Sequence, residues 1–451
     1  MEVQGNKVTE GSVFKLFWTY AIPSLIGIVS ITTASVVDGL FVGRYVGADA
    51  LVAVTLCIPF FTLVFGLALM LSVGGCVEAG IALGEGDRIK ASAVFTKIVC
   101  SVLLLALVIL GVSLACQDSL FKLLGGSGVV AEYMGAYMDV LGYALVLQMM
   151  GMACYYFLRV AGKPELGTVA LVAGAVSNIV LDYIFLKELE LGIAWAAWAT
   201  LFSQALQFGL LLLFLWKKQT RLEWVLERKE WGIVGRCARN GFSEFVNEVS
   251  VGVVIFLINY LMLSRYGVAG VAAFSVINYL IFVSVMLTFG VADGVPPLVG
   301  ENYGAGKLDR IGKVMVVAFG AVLCMGGVLV LSALTVGVEI AQWFVNVSEA
   351  NVLELVQDIL WVIWPIFMLH GVNILVALYL TGMRKVGESA MIALSRSLVL
   401  PVLFLVVVFY CYPDYPFFVA LPLAEALTCI LAIWCFIQNK PNKLVKGGVH
   451  G

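Results

Sequence analysis

Apolar residues along this chain neither alternate nor recur as a helical stripe; they run in long stretches broken by short polar punctuation. A helix needs about 20 mainly apolar residues to cross roughly 30 Å of hydrocarbon. Twelve stretches qualify, near residues 15–38, 50–73, 93–115, 133–157, 166–186, 193–216, 242–264, 270–292, 314–336, 357–380, 389–410 and 416–437. A membrane β-barrel would show short segments of alternating polarity, and runs such as 99–114 or 206–215 do not alternate. The pattern predicts twelve transmembrane helices, helix 1 to helix 12.

Composition agrees: 62% of the 451 residues are hydrophobic and 12% charged, against about 25% charged in soluble domains. Disorder, a basic nucleic-acid surface and a disulfide-stapled secreted domain are excluded. The ten Cys are scattered without a C-x-x-C pair, so they read as small buried apolar residues, not a zinc or redox centre. With a cytoplasmic N-terminus, 23 of the 27 Lys and Arg fall on the inner side, leaving Arg44, Lys122, Lys187 and Arg265 outside. Cytoplasmic loops retain positive charge, so both termini are expected in the cytoplasm and the protein in the plasma membrane. Residues 1–12 carry Glu2, Lys7 and Glu10 and no small-residue cleavage site, so helix 1 is expected to be retained.

The chain resembles itself. Arg44-Tyr45 recurs as Arg265-Tyr266; Ala53, Gly74, Gly80, Gly84 and Gly86 fall on Ala273, Gly294, Gly300, Gly304 and Gly306; Asp87-Arg88 recurs as Asp309-Arg310. Six spans is an even number, so the two copies enter the membrane in the same direction, related by an axis along its normal. The expected organisation is an N-lobe over 1–216, an amphipathic cytoplasmic linker helix over 217–240 and a C-lobe over 241–451, two six-helix bundles around a cleft. Gly80, Gly84, Gly300 and Gly304 are expected packing positions that let helices 2 and 8 approach closely.

An ionisable group inside a span is expensive and marks a functional candidate. Counting back from Arg44 and Lys187, Asp38 on helix 1 and Asp182 on helix 5 reach similar depths in the outer half, roughly 9 Å in at 1.5 Å per residue. Asn178 lies one turn before Asp182, and Thr200 about ten residues into helix 6. Their carboxylate, amide and hydroxyl oxygens suit a hard cation such as Na⁺, and two crowded carboxylates would let a proton replace it; a buried helix-to-helix hydrogen bond is the plainer role for Asp38 alone. In the second half the matching positions are Asn259, Leu400 and Phe404, so coupling through this set belongs to the first lobe.

Other acids read more weakly. Glu244 and Glu248 sit one turn apart near Arg236 and Arg239, suiting an interfacial ion pair or a substrate-facing role. Asp139 and Glu425 lack obvious partners, Asp139 snorkelling and Glu425 lining the cleft. Glu78 and Asp293, near inner helix ends, are expected to be hydrated. His370 is a proton-handling candidate or, more simply, a hydrogen-bonded core residue. Pro23, Pro365 and Pro401 interrupt spans and supply bending points. Catalytic signatures such as H-E-x-x-H, G-x-S-x-G or a phosphate-binding loop are missing from the sequence, so no enzyme activity and no cofactor are expected.

Ile22-Pro23, Val37-Asp38 with Phe41-Val42-Gly43, the Gly84-Glu85-Gly86-Asp87 loop and the 297–307 run containing Asn302-Tyr303-Gly304-Ala305-Gly306 together make the chain resemble the multidrug and toxic compound extrusion (MATE) transporters over nearly its whole length. The resemblance implies alternating-access export of lipophilic, often cationic organic compounds in exchange for Na⁺ or H⁺. It is similar to the DinF-type branch, in which a helix-1 Asp, an Asn-x-x-x-Asp pair on helix 5 and a helix-6 Thr hold the cation; Asp38, Asn178, Asp182 and Thr200 match them. The glutamate that another branch places on helix 7 corresponds to Val251, so a C-lobe cation site of that kind is not expected, and Asp293 stands where many members have Gln. Glu244, Glu425, Asn259 and His370 are the candidates for the substrate cleft. Expected partners are small organic molecules, mostly hydrophobic cations, and the lipid bilayer, with no nucleic acid; the pseudo-two-fold chain is expected to work as a monomer. The rivals are a lipid-linked oligosaccharide flippase of the same superfamily, disfavoured because the outer-half candidates are acidic, and a non-transporting membrane receptor.

Overall fold

The computed structural model describes residues 8–216, 221–225, 227, 230–342 and 350–441. Among these no strand occurs. Within a bilayer the backbone can satisfy its N–H and C=O groups only internally, and eleven helices here are long and apolar enough to span one. They are Val13–Val46, Asp49–Gly84, Arg88–Ala115, Gly128–Val160, Pro164–Glu188 and Ile193–Trp216 (helices 1–6), Phe242–Gly267, Ala269–Gly304 and Leu308–Ala341 (helices 7–9), and Val386–Cys411 and Phe417–Gln438 (helices 11 and 12). Helix 10 is the bent pair Val352–Ile363 and Ile366–Gly382, turned by 49° at Pro365. Several helices outrun the predicted spans, most of all helices 2 and 8, whose extra turns are buried where the two helices pack against each other.

The linker departs from expectation. Among its described residues only Gly232–Asn240 is helical; 221–225 is irregular, its Glu223 and Val225 N–H groups donating to the Ser92 and Thr96 hydroxyls of helix 3. Those side chains replace the intrahelical acceptors that a helix would have supplied. The remaining linker residues, 217–220, 226, 228 and 229, lie outside the described set.

Helices 1–6 enclose buried clusters around Phe95, Phe157, Leu158 and Leu211 and around Met134, Leu141 and Ala196. Helices 7–12 enclose clusters around Val314, Leu375 and Tyr379 and around Ile258, Val356 and Phe417. The lobes meet at the end that carries the linker, called here the linker end. A Cβ on Gly84 would lie 2.0 Å from the Glu301 carbonyl oxygen, and one on Gly304 would lie 2.0 Å from that of Ile81. Helices 2 and 8 therefore touch backbone to backbone in pseudo-symmetric fashion, as the repeated glycines predict. Residues 8–11 lie on the C-lobe, where Asn302, Lys307 and Arg310 donate to the carbonyls of Val8, Thr9 and Gly11.

Candidate functional site

Asp38 lies eight residues before the far end of helix 1 and Asp182 six before that of helix 5, or about 12 and 9 Å at 1.5 Å per residue. Close packing of the two helices sets them opposite each other. Gly27 abuts Leu171, where a Cβ would come within 2.8 Å of the leucine methyl, and the Thr168 hydroxyl donates to the Pro23 carbonyl at 2.8 Å. Just beyond the acids both helices loosen into π-turns, Val42–Val46 and Tyr183–Glu188, a feature frequent at functional sites.

The two carboxyl groups face one another within hydrogen-bonding reach. Asp182 is 0% exposed. Asp38 Oδ1, both Asp182 oxygens and Asn178 Nδ2 are buried without a hydrogen-bond partner. Among the described residues no Lys, Arg or His pairs with either acid. Buried polar atoms are normally satisfied, so a cage of orphaned oxygens with two formal negative charges fits a hard monovalent cation or a proton. The Asn178 amide, turned over, adds an oxygen to the same cage. No group of three or more His, Cys, Asp or Glu able to hold a metal occurs among the described residues, so the chemistry is that of two carboxylates and neutral oxygens.

Asp38, Asn178 and Asp182 are thus brought together. Thr200 lies on helix 6 with its hydroxyl donated to the Ala196 carbonyl at 3.2 Å, leaving its oxygen lone pairs free to accept. Tyr137 of helix 4, not singled out in the sequence, comes within electrostatic reach of both acids; a lone tyrosine in an apolar run carries no signal of its own.

The cleft candidates divide. Glu244 is buried near the start of helix 7 and accepts from Ser243 at 3.4 Å, with neither Arg236 nor Arg239 paired to it. Asn259 keeps a buried, unpartnered Oδ1. His370 is fully buried, its Nε2 within 3.2 Å of the Ser284 hydroxyl and 3.1 Å of that of Thr288, the environment of a core histidine. Glu425 has partners that the sequence did not show: Arg396 at 3.2 Å and the Asn373 amide at 2.6 Å. Arg396 sits ten residues inside helix 11 in the π-turn Ser395–Val399. Asp139 accepts from Gln117 at 2.8 Å on an exposed surface.

Glu78 and Asp293 correct the expectation of hydration. Glu78 is 5% exposed and bridges to Arg384; Asp293 is 2% exposed and bridges to Arg159, itself 0% exposed. Both pairs cross between lobes; Arg159–Asp293 is buried on both sides, while Arg384 keeps part of its side chain exposed.

A family model described as MatE matches residues 23–184 and 248–407, one match in each half of the chain. The multidrug export protein MepA of Staphylococcus saprophyticus is 24% identical over 401 residues, 88% of this chain and 87% of that protein. MepA of Staphylococcus haemolyticus is 25% identical over 402 residues, with the same coverage. In three dimensions the chain is similar to a MOP superfamily transporter from Pyrococcus furiosus, with a TM-score of 0.89, 22% identity, and 97% of this chain and 98% of that one covered. It is likewise similar to a multidrug resistance MATE family transporter in an outward-facing conformation, with a TM-score of 0.91, 22% identity, and coverage of 98% and 100%.

Proposed function

The chain belongs to the MatE family, whose model covers both of its halves, and from that premise we propose that it is a cation-coupled exporter of lipophilic, often cationic compounds, working by alternating access. The observation that carries this reading is the facing of Asp38 and Asp182, with buried oxygens that no hydrogen-bond donor satisfies. Two carboxylates so placed repel each other until Na⁺ or H⁺ arrives. Occupation removes the repulsion and draws helix 1 toward helix 5. Pro23 lacks the N–H that would bond one turn back, which gives helix 1 a bending point below the site.

Substrate in the cleft and cation in the N-lobe favour different arrangements of the lobes, so each weakens the binding of the other, and exchange follows. Acids and neutral polar groups on the cleft wall, Glu244 and Asn259 among them, suit hydrophobic cations with little shape selection. The relatives named as multidrug export proteins support drugs as the cargo. The distribution of Lys and Arg supports a linker end that faces the cytoplasm in the plasma membrane.

The test is ethidium efflux from proteoliposomes under an imposed Na⁺ gradient and, separately, a pH gradient, comparing wild type with Asp38→Asn and Asp182→Asn. Efflux driven by one gradient and lost in both variants is the expected result and names the coupling ion. Efflux that survives both substitutions removes the coupling role, and dye movement under neither gradient turns the question to lipid headgroups as cargo.

A further inference from the structure

We propose that Arg159, Asp293, Glu78 and Arg384 form a reciprocal two-bridge latch that holds the linker end of the cleft shut, so that opening this end requires both pairs to part. The proposal rests on the alternating-access reading above and adds the residues that set one of its two states. Each lobe supplies one cation and one anion: Arg159 and Glu78 come from helices 4 and 2, Asp293 from helix 8 and Arg384 from the turn after helix 10. The Arg384 guanidinium grips Glu78 with two nitrogens, Nε to Oε1 at 2.7 Å and a terminal nitrogen to Oε2. Two-point contact of this kind fixes orientation as well as distance.

The Arg159 pair is the deeper one. Its guanidinium lies over the Tyr155 and Tyr156 rings, 5.4 and 5.8 Å from their centroids. The Tyr156 hydroxyl donates to Asp293 at 3.4 Å, and the Tyr20 hydroxyl of helix 1 donates to the Arg159 carbonyl at 3.0 Å. Yet Arg159 Nε and Nη2 remain buried without acceptors. A structural ion pair within one lobe would be expected to satisfy its donors, whereas this one bridges the surface along which the lobes must separate and leaves two unmet. Unsatisfied buried donors penalise the closed state, and water entering a parted interface would hydrate all four charges.

A buried pair such as Arg159–Asp293 adds little net stability compared with apolar packing, while losing one partner strands a buried charge. The two bridges do specify register. Around them Gly80 and Gly84 lie against the backbone of 297–305, and Gly300 and Gly304 against that of Val77 and Ile81, so the bridges form only when the two helix ends are in one relative position. The latch is therefore both reversible and exact in alignment.

Hydrogen–deuterium exchange of the intact protein in nanodiscs, without gradient or substrate, tests this. Asp293→Asn and Glu78→Gln should each raise exchange in both 74–84 and 295–304, by about tenfold for Asp293→Asn and less for Glu78→Gln, while 50–60 at the far end stays unchanged. The reversed pair, Arg159→Asp with Asp293→Arg, should bring exchange back toward wild type. Cys76, buried beside Arg159 and Asp293, should be alkylated faster in the single variants and slowly again in the reversal. Unchanged exchange in both single variants overturns the latch, as does a rise spread evenly through the N-lobe core at 91–106. Because no transport is read, the latch can fail while ion coupling stands, and coupling can fail while the latch stands.

Discussion

The far halves of the two lobes are copies by descent and opposites in electrostatics. In the N-lobe, Asp38 and Asp182 face each other with no basic partner. At the matching C-lobe positions stand Asn259, Leu400 and Phe404. Midway along its spans the C-lobe holds the closed pair Arg396 and Glu425, with Asn373 on the second carboxylate oxygen, while its unpaired Glu244 lies at the linker end. Uncompensated charge calls for a mobile counter-ion, whereas a compensated pair has no use for one. On the proposed reading, the difference makes the N-lobe the one that responds to cations and leaves the C-lobe as it is.

The largest effect should come from neutralising one side of this contrast. Asp38→Asn should abolish gradient-driven efflux, whereas Asn259→Ala should leave it within about twofold; coupling free energies of about 1–3 kcal/mol correspond to 5- to 150-fold changes in affinity. Initial efflux rates under each gradient measure both. Equal losses in the two variants would dissolve the asymmetry.

Stability should divide the lobes in the reverse sense. Glu425→Gln strands Arg396 within a span, and breaking a buried pair from one side costs about 3–5 kcal/mol. Asp38→Asn removes a repulsion and should leave thermal stability equal or higher in cation-free buffer. Melting of the detergent-solubilised variants decides it. A drop for Asp38→Asn comparable to that for Glu425→Gln would mean that the N-lobe acids are structural.

A smaller shift should follow from the ion itself. A ligand that binds only the native state stabilises it by RT ln(1 + [L]/Kd), about 2.7 kcal/mol at a hundredfold Kd. Na⁺ replacing choline, or a fall in pH if H⁺ is the coupling ion, should raise the melting temperature of wild type and not of the Asp38→Asn, Asp182→Asn double variant. An equal rise in the double variant would place the ion elsewhere.

How far the sequence could be read follows from where each signal resides. The spans are local: length and hydropathy decide them because a bilayer offers no other partner for the backbone. Asp38 and Asp182 could be paired because each depth counts back from its own helix end, and two similar depths on helices that pack together meet. The bridges at the linker end were out of reach for the converse reason. Arg159 and Asp293 are 134 residues apart and Arg384 and Glu78 are 306 apart, and a cation near a helix end looks the same in sequence whether it meets water or a carboxylate of the other lobe. The linker was overread because its charge pattern suits a helix, while Ser92 and Thr96 offered its backbone another set of acceptors.

Thr200 gives the finest test of the contrast, because its structure and its sequence position say different things. Its place on helix 6 matches a cation ligand, but its hydroxyl proton is engaged by Ala196. That bond leaves the oxygen able to accept and orients its lone pairs away from the carbonyl, so a cation held by Asp38 and Asp182 can still use it. Thr200→Val keeps the shape and removes the oxygen, and Thr200→Ser keeps the oxygen and removes the methyl. One lost neutral contact is worth about 1 kcal/mol, so Thr200→Val should weaken half-maximal activation by the coupling cation about fivefold, with Thr200→Ser near wild type. If Thr200→Val instead matches wild type in activation while losing only stability, the cation is held by helices 1 and 5 alone, and helix 6 serves the N-lobe as packing.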